Sequence, residues 1–246
     1  MLESFLKSLQ IPMTREQSAR LPQNAAFKYE YIKDEVWISP RPWFYHAQLD
    51  LSSFAPSEVV DLTEPLEILS IQEEHRPSLP PVFARAFQRA QPFASLVGDE
   101  SLHAVQSCLD RTWDGGDGPF IQRCSFIAKM QDNVLGAILL TLLPDGDFTK
   151  WEKCEWTEPP PADCVEQGIG QPHLTWIFVD SWLAGRGIGT ELLSTAVKEL
   201  RALGYSQLIS TFLSGNDSSM LWHWRNGFEL LPHPTSWREM RRRWDA

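Results

Sequence analysis

Between His173 and Leu193 the chain reads HLTWIFVDSWLAGRGIGTELL, an apolar run, then glycines at 185, 187 and 189, then an amphipathic run. This pattern predicts a strand that turns through a glycine-rich corner into a helix. The first turn of a helix leaves backbone N–H groups without intrahelical partners, and the helix dipole gathers partial positive charge there. A diphosphate answers both needs. Glycine brings no Cβ, so a ligand can come close to the backbone, and Arg186 adds a cation suited to a phosphate oxygen. Without a ligand, the same glycines would only ease packing. Other phosphate motifs fit less well. A P-loop carries Lys-Ser/Thr after its last glycine, and Ile188-Gly189-Thr190 has no lysine. A dinucleotide fingerprint follows the first strand and expects an acid about 20 residues on. Here the turn follows several strands, and Leu208–Ile209 offers no acid.

A second stretch, Asn216-Asp217-Ser218-Ser219-Met220-Leu221-Trp222-His223-Trp224-Arg225-Asn226-Gly227-Phe228, predicts a helix over Asn216–Asn226 ended by Gly227. Positions 216, 219, 223 and 227 share one face by three-four spacing. An imidazole there, near its free pKa of about 6.5, is partly charged at neutral pH and can give up a proton. Alternatively His223 serves only packing beside Trp222 and Trp224. Asp180 directly follows the apolar run; it is either a carboxylate that takes a proton or a turn residue capping the loop. Glu73, Glu74 and the acids of the segment 144–172 are other carboxylates. His173 and Thr175 share one side of their strand.

These residues must be held by an alternating framework. Alternation of apolar and polar residues over Ala26–Ile32, Glu35–Ser39 and Trp43–Leu51 predicts a small antiparallel meander. From Leu66 the order changes: a strand at Leu66–Ile71, helices at Val82–Arg89 and Glu100–Trp113, a turn at Asp114–Gly118, and strands at Phe120–Met130 and Val134–Leu143. An irregular, acidic segment 144–172 follows, either an exposed insertion or a lid for a cationic acceptor. Then come a strand at His173–Val179, a helix at Gly187–Leu203, a strand at Gln207–Phe212, the helix at Asn216–Asn226, and strands at Phe228–Leu231 and Ser236–Arg243. The expected division is a β-rich extension at 1–60 and a larger unit at 61–246.

The two motifs and this order resemble the GNAT superfamily of N-acetyltransferases. Its central motif is Gln/Arg-x-x-Gly-x-Gly/Ala. Ala184-Gly185-Arg186-Gly187-Ile188-Gly189 matches both glycines and replaces the first residue by Ala184, so a side-chain contribution is lost while the backbone amides stay. The family's second hallmark, Asn-x-x-Ala-x-x-Leu-Tyr-x-x-x-Gly-Phe, registers on Asn216 to Phe228 without a gap and puts His223 at the tyrosine position. The resemblance implies an α/β (α+β) fold with a mixed, mostly antiparallel central sheet flanked by helices. It implies acetyl-CoA or another acyl-CoA, its diphosphate on Ala184–Thr190 and its pantetheine arm on the backbone of Ile177, Phe178 and Val179, where two strands splay. Asn216 and Ser219 would lie near the arm, although Asn216 also suits a plain N-cap. An N–H near Phe178 or Val179 would meet the oxyanion, His223 would act as the acid toward the leaving thiolate, and Asp180 would act as the base. His173 and Thr175 would line the acceptor pocket. The implied reaction is direct attack by the primary amine of a small molecule or peptide. The alternative is a non-catalytic acyl-CoA sensor or scaffold.

Bulk properties narrow the partners. With 32 acidic and 22 basic residues the formal net charge is −10, unsuited to displacing counterions from nucleic acid or to binding an anionic membrane. The basic run Arg238 and Arg241–Arg243 reads as a solvated face. Cys108, Cys124, Cys154 and Cys164 lack the paired spacing of a zinc site, so no metal is expected. No run approaches about 18 apolar residues, and Met1–Ile11 carries Glu3 and Lys7 inside its apolar residues. A reducing cytoplasm is the expected location. The N-terminal meander is expected to cover an edge of the main sheet or to join a homodimer contact.

Overall fold

The structure, a computed structural model, describes residues 9–22, 27–40, 44–56, 65–90, 92–96, 98–148, 156–213 and 216–231. The expected strand Ser236–Arg243, the basic run within it, and Cys154 lie outside the described residues.

β1 (Leu9–Pro12), α1 (Arg15–Ala19), β2 (Phe27–Ile32) and β3 (Glu35–Pro40) open the chain, and the three strands form an antiparallel sheet in the order β1-β3-β2. Lys33 and Asp34, both at positive φ, make the tight turn between β2 and β3, the conformation that matches strand twist in a two-residue hairpin. The next strand, β4 (Phe44–Asp50), leaves this meander. It pairs antiparallel with β9 (Gln207–Leu213), so that His46 stands opposite Thr211. Alternation revealed the strand but carried no information on its partner. A boundary near residue 60 therefore cuts through the main sheet.

That sheet has seven strands in the order β10-β4-β9-β8-β7-β6-β5. Its other members are β5 (Glu67–Ser70), β6 (Phe126–Met130), β7 (Asn133–Leu143), β8 (Gln171–Val179) and β10 (Glu229–Leu230). Every neighbouring pair is antiparallel except β8 and β9. This is the mixed, mostly antiparallel sheet that the resemblance implied. Phe120 and Ile121 fall short of the expected strand; Gln122–Cys124 coil into one 3₁₀ turn before β6.

Helices cover both faces. α2 (Leu79–Phe87) starts three residues before the predicted Val82 because Pro80 and Pro81 fit a first turn, where no N–H is needed. With α3 (Asp99–Trp113) it buries Phe83, Val105 and Leu109 against Ala137, Leu139 and Phe178. α4 (Ile188–Ala202) presents Leu192, Leu193, Ala196, Val197 and Leu200 to Ile138, Leu140 and Leu142 on the opposite face. β7 is thus apolar on both sides, as a strand covered twice must be. α4 reaches back to the N-terminal strand: the Arg201 guanidinium donates to the carbonyls of Leu51 and Phe54, while Ala47, Leu49 and Leu51 are fully buried in the same core. α5 (Asp217–Arg225) follows β9.

Candidate active site

The corner between β8 and α4 begins with a single 3₁₀ turn, Ser181–Leu183, capped by Asp180, whose Oδ1 accepts from the Trp182 amide at 3.3 Å. The amides of Leu183, Ala184 and Arg186 bond inside the corner, to the carbonyls of Asp180, Ser181 and Leu183. Gly185 and Gly187 then adopt left-handed φ of 80° and 84°, which side chains with a Cβ adopt only at a cost. Among the described residues, no hydrogen bond occupies the amides of Gly185, Gly187, Ile188, Gly189 or Thr190. Gly189 is needed for a different reason. A Cβ there would stand 3.0 Å from the Trp222 indole Nε1, so its absence seats α5's indole against the start of α4. Ala184 and Arg186 are exposed beside this row.

The row lies at one end of a gap in the sheet. β8 pairs with β9 only at His173↔Ile209 and Leu174↔Ser210, whereas it pairs with β7 as far as Val179↔Gly136. The two parallel strands therefore part after Leu174. The ladder bond from Asp180 N–H to Leu135 O at 2.7 Å sets the pleat. By antiparallel alternation the backbone of Trp176 and Phe178 bonds toward β7, and the N–H and C=O of Ile177 and Val179 face the gap. Phe178 thus has no backbone group to offer an oxyanion, and its ring packs edge-on to Phe83 at 5.0 Å. A cavity of about 1750 Å³ occupies the gap, bounded by Ile177 and Val179, Gly187 and Gly189, Asn216 and Ser219, and extends past the fork to His46. It exceeds the roughly 300–1,000 Å³ of a single-ligand pocket, leaving room for two.

α5 brings three expected residues together. Asn216 accepts from the Ser219 amide at 3.1 Å, so it is an N-cap as well as a lining residue. His223 is buried at 3% exposure, stacked on Phe212 at 4.5 Å. Its Nδ1 lies 2.7 Å from the Ser219 carbonyl. A carbonyl only accepts, so Nδ1 carries the proton, and Nε2 of the neutral ring accepts from the Ser210 hydroxyl at 2.7 Å. Burial pulls the imidazole pKa down to about 4. At neutral pH this ring is uncharged and its one proton is held by a carbonyl, so the expected acid role is corrected: His223 anchors Ser210 where β8 and β9 part.

Asp180 is corrected as well. It is 9% exposed, its Oδ2 meets Arg85 Nε at 2.8 Å and its Oδ1 caps the turn. Both carboxylate oxygens are thus engaged within the protein, and the residue does not line the cavity. Glu73 and Glu74 are exposed on a 3₁₀ turn beside Arg76 and His75.

Beyond the fork, on the α2–α3 face, lies a polar chain that the sequence showed only in part. His173 and Thr175 do line the cavity. His173 Nδ1 is 3.1 Å from Thr175 Oγ1 and its Nε2 is 3.1 Å from Thr211 Oγ1, which lies 2.9 Å from His46 Nδ1. Thr175 Oγ1 is 2.8 Å from Thr141 Oγ1, which donates to the Asp117 carbonyl at 3.0 Å. Burial, with His46 alongside, pulls the His173 pKa down to about 3. The Asp117 carboxylate is held by Arg111 Nε at 2.6 Å and by the Thr112 hydroxyl at 2.7 Å. Thr211, Thr141 and His46 were missed because strand order decides that they meet. Among the described residues there is no group of three or more His, Cys, Asp or Glu placed to hold a metal, and no helix long and apolar enough to cross a membrane.

Residues 92–228, more than half of the chain, match the model of the acetyltransferase (GNAT) family. No curated protein sequence matches the chain. Similar solved structures include a GNAT family acetyltransferase from Brucella melitensis in complex with acetyl-CoA, at 17% identity and TM-score 0.45 over 68% of this chain and 88% of that one. The PaiA N-acetyltransferase of Thermoplasma acidophilum in complex with coenzyme A is 14% identical, with TM-score 0.45 over 67% and 90%. A GNAT family acetyltransferase from Staphylococcus aureus is 15% identical, with TM-score 0.46 over 68% and 87%.

Proposed function

The chain belongs to the GNAT acetyltransferase family, and from that premise we propose that it moves an acetyl group from acetyl-CoA to a primary amine of a small molecule or peptide. One observation carries the reading. Among the described residues the amides of Gly185, Gly187, Ile188, Gly189 and Thr190 have no hydrogen-bond partner, and they open onto the edge of β8 that β9 leaves unpaired, which leads to the fork beside Ser210. The diphosphate sits on the amides of Gly185, Gly187, Ile188, Gly189 and Thr190, with Arg186 as its cation and Ala184 beside it. The pantetheine arm lies along the edge formed by Ile177 and Val179, completing the β hydrogen bonds that β9 does not supply, with Asn216 and Ser219 across from it.

The amine nitrogen attacks the thioester carbon at the fork. The carbonyl oxygen gains charge, and an N–H of the free β8 edge is the donor placed to meet it. The cysteines Cys108, Cys124 and Cys164 are free and buried, in keeping with the cytoplasmic location we propose. Acid chemistry toward the sulfur is not assigned to His223.

The test has two readouts on the full chain. Acetyl-CoA should raise Tm, and free thiol should appear with at least one member of a primary-amine panel. Absence of a Tm shift refutes the cofactor site. A shift without thiol from any amine favours the sensor or scaffold reading.

A further inference from the structure

On the α2–α3 side of the sheet the cavity is walled by rings. Phe87, Phe93 and Trp176 line it, with centroids 5.6 Å apart for Phe87 and Phe93, 6.1 Å for Phe87 and Trp176, and 6.3 Å for Phe93 and Trp176. The fully buried Phe83 packs against all three and holds them in place. Phe87 and Trp176 remain half-buried. The Trp176 indole N–H is spent on the Thr112 hydroxyl at 2.8 Å. A second indole comes from the segment 144–172. Trp156 lines the same cavity, and its N–H is spent on the Leu142 carbonyl at 2.9 Å. It is seated against Gly118 and Gly170, where a Cβ would stand 3.6 Å and 3.1 Å from the ring. Contacts join the two indoles: Trp176 meets Thr112, Thr112 meets Asp117, and Gly118 follows Asp117.

The charge on this side is opposite in sign to that of the whole chain. Among the described residues, Asp117 and Asp217 are the only carboxylates that line the cavity. Asp217 opens α5 beside Asn216, in the cofactor half. Both oxygens of Asp117 are held, one by Arg111 and one by Thr112. The described acids of 144–172 do not line the cavity; the segment's contributions there are Trp156 and Pro160. Arg89, in the turn between Phe87 and Pro92, lines the cavity, is exposed, and has no ion-pair partner among the described residues. A second cation on an acceptor would meet this guanidinium and no uncommitted carboxylate, whereas an anionic group would meet a cation with its donors to spare.

Resting on the acyl-transfer reading above, we propose that the acceptor is an aromatic α-amino acid, its ring held among Phe87, Trp176 and Trp156 and its carboxylate met by Arg89. Aromatic rings favour edge-on or offset contact at centroid distances of about 4.5–7 Å, the spacing that these walls keep among themselves. A guanidinium offers a carboxylate two parallel N–H donors. In the step, the neutral α-amine forms a bond to the thioester carbon, the C–S bond breaks, and the electron pair leaves with the sulfur of coenzyme A. The nitrogen loses one proton to water and the thiolate takes one from water, so the products are an N-acetylated amino acid and free coenzyme A.

The test follows thiol release from acetyl-CoA by the full chain. It compares L-phenylalanine and L-tryptophan with phenethylamine and tryptamine, which lack the carboxylate, with L-alanine, which lacks the ring, and with spermidine. kcat/KM should fall by about tenfold or more without the ring and by about 2–5-fold without the carboxylate, and should be lowest for spermidine. Arg89→Gln should bring the ratio of phenylalanine to phenethylamine close to unity through KM, and Arg89→Lys should keep part of the preference. A purely structural role for Arg89 would lower both substrates together and leave that ratio as it was. Phe87→Ala should lower kcat/KM for phenylalanine more than for alanine; if it melts without cooperativity, Phe87→Leu is read the same way. Alanine or spermidine used as well as phenylalanine, turnover confined to amines outside this set, or a ratio that Arg89→Gln does not move overturns this acceptor and leaves acyl transfer standing. A wild type that releases no thiol with any amine of a wider panel overturns the acyl-transfer reading and this acceptor with it.

Discussion

Replacing Gly187 by alanine separates the two things that residue does. Gly187 sits at φ 84°, ψ −6° as the N-cap of α4. An L-residue with a Cβ held there costs about 1–2 kcal/mol. For a chain of this size that cost lowers Tm by roughly 2–8 °C, at about 2–4 °C per kcal/mol. Gly204, at the other end of the same helix, has φ 88° and only open space where a Cβ would stand, so Gly204→Ala should cost the same stability. Only the first substitution turns amides that the diphosphate would use. Losing one charge-assisted hydrogen bond is worth about 1.5–3 kcal/mol, or about 10- to 150-fold in Kd at 1.4 kcal/mol per tenfold. Calorimetric titration with acetyl-CoA reads the affinity, and thermal melts without ligand read the stability. Gly204→Ala should keep wild-type affinity. If both variants lose equal stability and both bind acetyl-CoA as the wild type does, the amides of this corner do not hold the cofactor.

Other perturbations bear on the rest of the site. Gly189→Ala puts a Cβ 3.0 Å from the Trp222 indole; the overpacking should cost about 1–3 kcal/mol and weaken acetyl-CoA binding, both visible in melts with and without ligand. His223 and His173 are held neutral, with pKa values near 4 and 3 against 6.5 when free. Below 6.5 the unfolded chain binds protons that the folded chain does not, so stability should be full above about pH 6.5 and decline as pH falls toward 4. Denaturant midpoints across that range should show the slope, and His223→Gln should flatten it. Deleting residues 1–50 removes Ala47 and Leu49 from the core and the partner of β9; at about 2–5 kcal/mol for a single buried leucine, the shortened chain should show no cooperative melt by circular dichroism.

The corner at Gly185–Gly189 was legible because its chemistry is local: glycines, an apolar strand before them and an amphipathic helix after them are contiguous in the chain. α4 was legible for the same reason, its buried residues recurring at helical spacing up to the stop at Gly204. His223 was found by motif register but misread, because its two hydrogen-bond partners include Ser210 from another strand, and burial moved its pKa out of the acid's range. Asp180 was misread similarly: Arg85, on a helix nearly a hundred residues earlier, takes its carboxylate. Strand β4 was visible as an alternating run, yet nothing local says that it inserts beside β9. The chain from Thr141 to His46 depends on that insertion, and so it lay beyond reach.

The insertion of β4 also sets the order in which the molecule can be completed. His46 meets a partner 165 residues later in the chain. At translation speeds of about 5–20 residues per second, β4 leaves the ribosome roughly 10–30 s before the strand that receives it. Throughout that interval β4 lacks the strand it pairs with along its whole length. The pairing that closes so long a loop can form only once β9 has been made, and non-local strand pairing of this kind is intrinsically slow.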